Sequence, residues 1–278
     1  MRDAFTRFEH EGWERAAPAY AGSFTAVTAQ VAGPLLDACL PASEAGCLLD
    51  VATGPGTVSI LAASRGAHAV GVDFSSAMLA RTRSNAPSAR FVQGDANALP
   101  FRSESFDAAA CNFGLLHFAD PERAAREMAR VLRPGGRLAV SVWSPAERNV
   151  LFGSIYRALE RHAPKRPDVP PGPPFFQLAE PARMKSLLEN AGLRAGEITR
   201  VPFRATLPSV RALLELFREG SVRTAAILRA QDEGARERIH DAVAAELEPH
   251  RSGGALHVPV EAVVGVGTKP DGSLPSRA

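Results

Sequence analysis

A chain of 278 residues can bury a sizeable core without disulfides or structural metal, which excludes a knottin, a short peptide or a repeat array. With 45% hydrophobic and 22% charged residues the composition is globular, so most of the chain is expected to fold. The 32 basic and 30 acidic residues leave a formal charge of +2, which gives no general reason to expect nucleic acid as a partner.

The opening segment mixes Arg2, Asp3, Arg7, Glu9 and Glu11 with aromatics and lacks the apolar stretch of a signal peptide. No run approaches the roughly 20 apolar residues of a membrane span. Cys39, Cys47 and Cys111 are widely spaced without a C-x-x-C pair, so neither a disulfide framework nor a metal site is expected, and a cytoplasmic location fits best. Val27, Val31, Leu35, Leu36 and Leu40 recur at three- and four-residue intervals, which predicts one helix over Phe24 to Leu40, ended by Pro41.

From Cys47 onward short apolar runs alternate with amphipathic segments, the pattern of a parallel sheet with crossover helices. Strands are expected at Cys47 to Ala52, Ala67 to Asp73, Ala89 to Gly94, Phe106 to Asn112 and Arg137 to Trp143. The helix before the last of these is marked by Asp120 as cap, Pro121 in its first turn and a stripe of Ala124, Ala125, Met128, Val131 and Leu132, and Pro134, Gly135 and Gly136 stop it. Six prolines between Pro164 and Pro174 predict a stiff loop or lid edge. Beyond it come a helix at Pro181 to Asn190, a strand at Gly196 to Leu207, a helical block at Ser209 to Leu247 and a final strand at Ala255 to Thr268. The expected organisation is an N-terminal helical lid over 1–45 and a core over 46–144. A substrate-side remainder follows over 145–268, with a helical cap at about 209–250, and then a frayed tail over 269–278.

Leu48 to Val51 run into a turn bracketed by Gly54 and Gly56 and then into a helix, where absent Cβ atoms and free N–H groups suit a ligand. Asp73 ends the next strand 19 residues after Gly54, close to the roughly 20-residue spacing of a ribose-binding acid. The simpler reading of Asp73 is a cap for the helix beginning near Ser75. Two observations disfavour a dinucleotide. The third glycine position of G-x-G-x-x-G is Ser59, and Asp95 with Ala96 adds a third acid after the third strand, placed to meet the amine of adenine.

The runs LLDVATGPG (Leu48 to Gly56), VGVDFSSAML (Val70 to Leu79), FVQGDANALPF (Phe91 to Phe101) and FDAAACNFGLLHFADPERAAREMARVLRPGG (Phe106 to Gly136) resemble the class I S-adenosylmethionine-dependent methyltransferases. Within them the likeness is to the ubiquinone/menaquinone C-methyltransferase type. The resemblance implies an α/β, Rossmann-like seven-stranded sheet whose last strand is antiparallel, here with a helical cap insertion. It implies that S-adenosylmethionine is the cofactor, its methionine part held by Gly54, Gly56 and the backbone of Ala52 and Thr53. Asp73 would take the ribose hydroxyls, Phe74 and Met78 would flank adenine, and Asp95 with Ala96 would bind its edge. Asn112 and Phe113 would line the cofactor near the sulfonium. Ala52 departs from the glycine common in the family, and the likeness fades from Ser144 onward.

For the methyl acceptor, His117 is the titratable group nearest the end of the fourth strand, with a base role and a packing role both open. Trp13 and Tyr20, seven residues apart, would form one face of a lid or merely dock their segment. Phe175 and Phe176 are candidates for the acceptor pocket, whereas His10, His162 and His257 have no partner pattern. The run Asn112, Phe113, Gly114, Leu115 lacks the paired prolines of nucleobase amino-methyltransferases, and no cysteine follows a proline as in cytosine C5 enzymes. The expected activity is methyl transfer to O, C or N of a small, largely apolar acceptor. The alternatives are an NAD(P)-dependent oxidoreductase and a non-catalytic protein that binds S-adenosylmethionine.

Overall fold

The structure of the protein, a computed structural model, describes residues 3–40, 46–85, 90–165 and 167–271. Helices α1 (Ala4–Gly22), α2 (Thr25–Thr28) and α3 (Ala32–Cys39) come first. Strands and helices then alternate through β1 (Cys47–Val51), α4 (Thr57–Ser64), β2 (His68–Asp73), α5 (Ser76–Asn85), β3 (Arg90–Gln93), β4 (Phe106–Asn112), α6 (Pro121–Val131) and β5 (Leu132–Trp143). The remainder is α7 (Val150–His162), α8 (Pro181–Asn190), β6 (Arg194–Leu207), α9 (Val210–Gly220), α10 (Arg223–Ala230), α11 (Glu233–Leu247), β7 (Arg251–Ser252) and β8 (Ala255–Thr268). Side-chain caps set several starts: Asp3 accepts the Thr6 N–H, Asp120 the Arg123 N–H, Ser209 the Ala212 N–H and Asp232 the Ala235 N–H.

The sheet runs β3-β2-β1-β4-β5-β8-β6, with the small β7 on β8. The first five strands are parallel, and β8 is antiparallel to both neighbours, which is the expected Rossmann-like arrangement. Period-two alternation divides the core between the faces. Leu48, Ala108 and Ala110 pack toward α3, α4 and α7, while Leu49, Ala109 and Cys111 pack toward α6 and α8. Strand order reverses between β1 and β4, so the loops leaving them diverge and open a crevice at their carboxyl ends. α9, α10 and α11 are inserted between β6 and β8, with α11 packed on α7 and α9 on α1. Among the described residues no helix is long and apolar enough to cross a membrane.

Two expectations are corrected. The single helix over Phe24 to Leu40 is broken into α2, a 3-10 turn at Ala29–Val31 and α3. Pro34 has no N–H to give the carbonyl one turn back, so it is tolerated only in the first turn of a helix, and the helix restarts at Ala32. β5 starts at Leu132, pairing with Phe106, which removes Leu132 from the stripe of α6. The expected helical block from Ser209 to Leu247 comprises α9, α10 and α11. Pro41, Ala89 and residues 272–278 of the expected tail lie outside the described residues.

Candidate active site

After Val51 the chain turns through residues 52–56 into α4, with φ of +56° at Ala52, +53° at Gly54 and +88° at Gly56. Glycine takes this left-handed conformation freely, whereas alanine is strained in it. The buried Asp50 holds the turn from beneath. Its Oδ2 accepts the Thr53 hydroxyl at 2.6 Å, the Ser59 N–H at 3.0 Å and the Ser59 hydroxyl at 2.8 Å. Burial pushes the Asp50 carboxyl up to about 6, although these donors pull the other way. Thr53 is thereby turned to Asp50 and Gly56 packs on Thr82, so the turn meets the adjoining cavity through Ala52 and Gly54.

At the end of β2 Asp73 is buried, with Oδ1 accepting the Ser75 N–H and Oδ2 the Gly54 N–H, both at 2.9 Å. One carboxylate thus ties the strand-one turn to the start of α5, so the capping geometry weighed from sequence is present and is shared with Gly54. Burial, with Asp50 and Glu14 nearby, pushes the Asp73 carboxyl up to about 6 against the pull of its two N–H donors. Phe74, Met78, Asp95 and Ala96 stand on the same cavity wall, and the Asp95 carboxylate accepts the Asn97 N–H at 2.9 Å. At the end of β4, Asn112 and Phe113 also line the cavity. Asn112 accepts the Ser141 hydroxyl at 2.6 Å and donates to the Thr28 carbonyl at 3.2 Å, and Phe113 has φ +56°.

The cavity continues past these strand ends under α1 and the cap. Rings dominate that end. Phe113 stacks on Trp143 at 3.8 Å between centroids, and Phe152 lies 4.7 Å from Trp143 and 5.1 Å from Phe217. Trp13 sets its edge against Tyr20 at 5.3 Å and against His117 at 4.8 Å. Phe175 lines the cavity, while Phe176 stands behind it at 5.0 Å, facing Tyr156. Nδ1 of His117 lies 3.0 Å from Oε2 of Glu9, whose other oxygen pairs with Arg223. Among the described residues no cluster of His, Cys, Asp or Glu is arranged to hold a metal ion.

Residues 49–140 match the model of the methyltransferase domain family. The demethylmenaquinone methyltransferase of Renibacterium salmoninarum is 35% identical over 181 residues, 63% of this chain and 76% of that protein. The chain belongs to the class I S-adenosylmethionine-dependent methyltransferases. The enzyme of the same name from Thermus thermophilus is 44% identical over 116 residues, which is 40% of this chain. The chain spans about half the length of that relative (52%) and of its Paenarthrobacter aurescens counterpart (54%). A Bacillus halodurans C-125 structure described as a methyltransferase superposes with TM-score 0.56 at 22% identity, covering 86% of this chain and 98% of that one. The [4+2]-cyclase SpnF superposes with TM-score 0.53 at 20% identity over 88% of this chain and 81% of its own. These two likenesses bear on the fold alone, and a cyclase among them illustrates that the fold does not dictate the reaction.

The family uses S-adenosylmethionine, and the residues present fit that group. At Gly54, which lines the cavity, an added Cβ would touch no other group within 4 Å, so the backbone is open to a ligand there. Asn97, also on the wall, has a buried Oδ1 with no hydrogen-bond partner among the described residues. Asn97 went unnoticed in the sequence, although its place two residues after Asp95 was a signal. Glu9 and Arg223 were also missed. Only the four-residue spacing from Glu9 to Trp13 places the acid on the lid face, and nothing local links either residue to His117.

Proposed function

We propose that the protein transfers a methyl group from S-adenosylmethionine to a small, planar, largely apolar acceptor of quinol or phenol type. The observation that carries this reading is one cavity with two unlike ends, polar at the ends of β1, β2 and β3 and ringed by aromatic side chains under the cap. When bound, S-adenosylmethionine supplies an activated methyl on a sulfonium with a neutral thioether as leaving group. Gly54 and the backbone of Ala52 would hold its methionine part, with Thr53 and Gly56 shaping the turn from behind. Asp73 would accept the ribose hydroxyls, Phe74 and Met78 would flank the adenine, and Asp95, Ala96 and Asn97 would meet its edge. Asn112 and Phe113 would border the reacting centre.

In-line transfer asks the protein chiefly to align two partners and exclude water. Trp13, Tyr20 and Phe175 line the cavity and add ring faces that favour a cation nearby. The rings of Trp143, Phe152 and Phe217 suit a flat apolar acceptor, in line with the demethylmenaquinone named for the relatives. His117 would remove the proton from an acceptor that must lose one.

Calorimetric titration with S-adenosylmethionine, S-adenosylhomocysteine, NAD and NADP, followed by mass spectrometry on a panel of quinols, phenols, amines and acids, tests the reading. Binding of the two adenosyl compounds and a gain of one methyl group on a quinol or phenol is expected. Affinity for NAD(P) alone would favour an oxidoreductase, and cofactor binding without methylation of any acceptor would favour a non-catalytic role.

A further inference from the structure

A buried ion-pair network borders the cavity through His117 and Arg223, and the role inferred for it rests on the proposed methyl transfer. Glu9, in the second turn of α1, has a wholly buried side chain. Its Oε2 lies 3.0 Å from Nδ1 of His117 and accepts the indole N–H of Trp13 at 3.2 Å, while Oε1 accepts the Arg223 Nε–H at 2.8 Å. Arg223 also donates to the carbonyls of Pro173 and Leu116 and lies over the ring of Phe5 at 4.6 Å. A carboxylate removed from water is costly unless each oxygen is paired, and here each is. Burial alone would raise the Glu9 carboxyl, but His117 and Arg223 outweigh it and hold the group below its ordinary range.

We propose that Glu9 is a positioning residue that orients His117 as the base for an acceptor that must lose a proton. An ionised carboxylate only accepts hydrogen bonds, so Nδ1 carries a proton, and in the neutral ring Nε2 is left with the lone pair. As the acceptor's oxygen or carbon bonds to the methyl carbon, the C–S bond breaks with its electron pair on sulfur. The acceptor's proton passes to Nε2, and the positive charge of the sulfonium ends on the imidazolium beside Glu9. Arg223 is the other charged group of the network, and the rings of Trp13 and Phe175 cover His117 at 4.8 and 6.2 Å.

The acid sits on α1, the histidine follows β4 and the arginine opens α10, so the pair exists only with the N-terminal helix seated. Glu14 anchors the same helix by accepting the N–H groups of Ser76 at 2.7 Å and Ala77 at 3.3 Å, at the start of α5. The base is therefore assembled by the closed lid, not carried ready-made on the β4 loop.

The test compares the wild-type chain, Glu9→Gln and His117→Asn. Imidazole 15N spectra of the wild type without cofactor, assigned with His117→Asn, should give the Nδ1–H tautomer, and Glu9→Gln should shift signal toward Nε2–H. With a quinol or phenol acceptor, Glu9→Gln should lower kcat by about 100-fold with KM and S-adenosylhomocysteine affinity within about threefold, in the range of lost orienting contacts. A wild-type Nε2–H tautomer, or an unchanged kcat in folded Glu9→Gln, overturns the inference. Should Glu9→Gln not fold, the wild-type tautomer alone decides. Failure of the wild type to bind S-adenosylhomocysteine or to methylate any acceptor would instead count against the proposed function.

Discussion

Replacing Asp73 by Asn removes one charge and almost no volume, so its effect can be worked from the bonds that the carboxylate makes. Oδ1 and Oδ2 already accept the Ser75 and Gly54 N–H groups, and their remaining lone pairs are those offered to the ribose hydroxyls. An amide has one accepting oxygen. One N–H would then face an NH2 group, and neither hydroxyl contact would be charge-assisted. Hydrogen bonds to a charged group contribute about 1.5–3 kcal/mol each, so the two hydroxyls together give about 3–6 kcal/mol. With one neutral bond of about 1 kcal/mol retained, about 2–5 kcal/mol is lost, and at about 1.4 kcal/mol per tenfold change the dissociation constant for S-adenosylhomocysteine should rise by about 30- to 3,000-fold.

Isothermal titration at pH 7.5 reads that change, with a melting curve to verify the fold. Because burial pushes the Asp73 carboxyl up to about 6, wild-type affinity should also weaken as pH falls through that value and the acceptor becomes a neutral acid. The Asn variant should lack this step. A dissociation constant within about threefold of wild type, at both pH 7.5 and pH 5.5, would refute the ribose role.

Asp50→Asn should behave differently, since all three hydrogen bonds use Oδ2 and an amide oxygen can replace it. The folded carboxyl at about 6 against an ordinary 3.8 means that the folded state binds more protons between those values, so stability falls as pH rises through that window. The variant should melt no lower than wild type at pH 7.5 and show a shallower pH dependence, because Asp73, pushed up to the same value, keeps its own share, which thermal scans from pH 4 to 8 would check. Ala52→Gly should raise the melting temperature by a degree or two, because relief of about 1–2 kcal/mol of left-handed strain exceeds the roughly 0.5–1 kcal/mol cost of glycine flexibility. A fall would show that the strain argument is wrong. Gly56→Ala should destabilise by about 2–3 kcal/mol and weaken S-adenosylhomocysteine binding, as its Cβ would lie 2.3 Å from Thr82, whose hydroxyl holds the Gly54 carbonyl. Melting and titration of this variant should therefore change together.

Local chemistry explains which parts of the fold could be read from sequence. Asp120, Pro121 and the apolar stripe announced α6, and the continuous Phe106 to Asn112 run announced β4, because caps and burial leave marks in neighbouring residues. The break at Ala29–Val31, ahead of Pro34, leaves no mark in the apolar period, which continues across it. Strand pairing, which has no local signature, drew Leu132 into β5. In the site the same division holds. The turn at Gly54 and the acids at Asp73 and Asp95 follow strand ends at regular spacing, and they border one cavity. Phe24, Phe152 and Phe217 read as ordinary core residues until the cap folds over them, and the pairing of Glu9 with Arg223 joins residues 214 positions apart. Such a contact is a product of tertiary assembly.

The most direct test is a crystal structure of the protein with S-adenosylhomocysteine. The account predicts density in the cavity, with ribose hydroxyls on Asp73, the adenine edge at Asp95 to Asn97, and the sulfur facing the ringed end beside His117. Density elsewhere, or an empty cavity at saturating ligand, would contradict it.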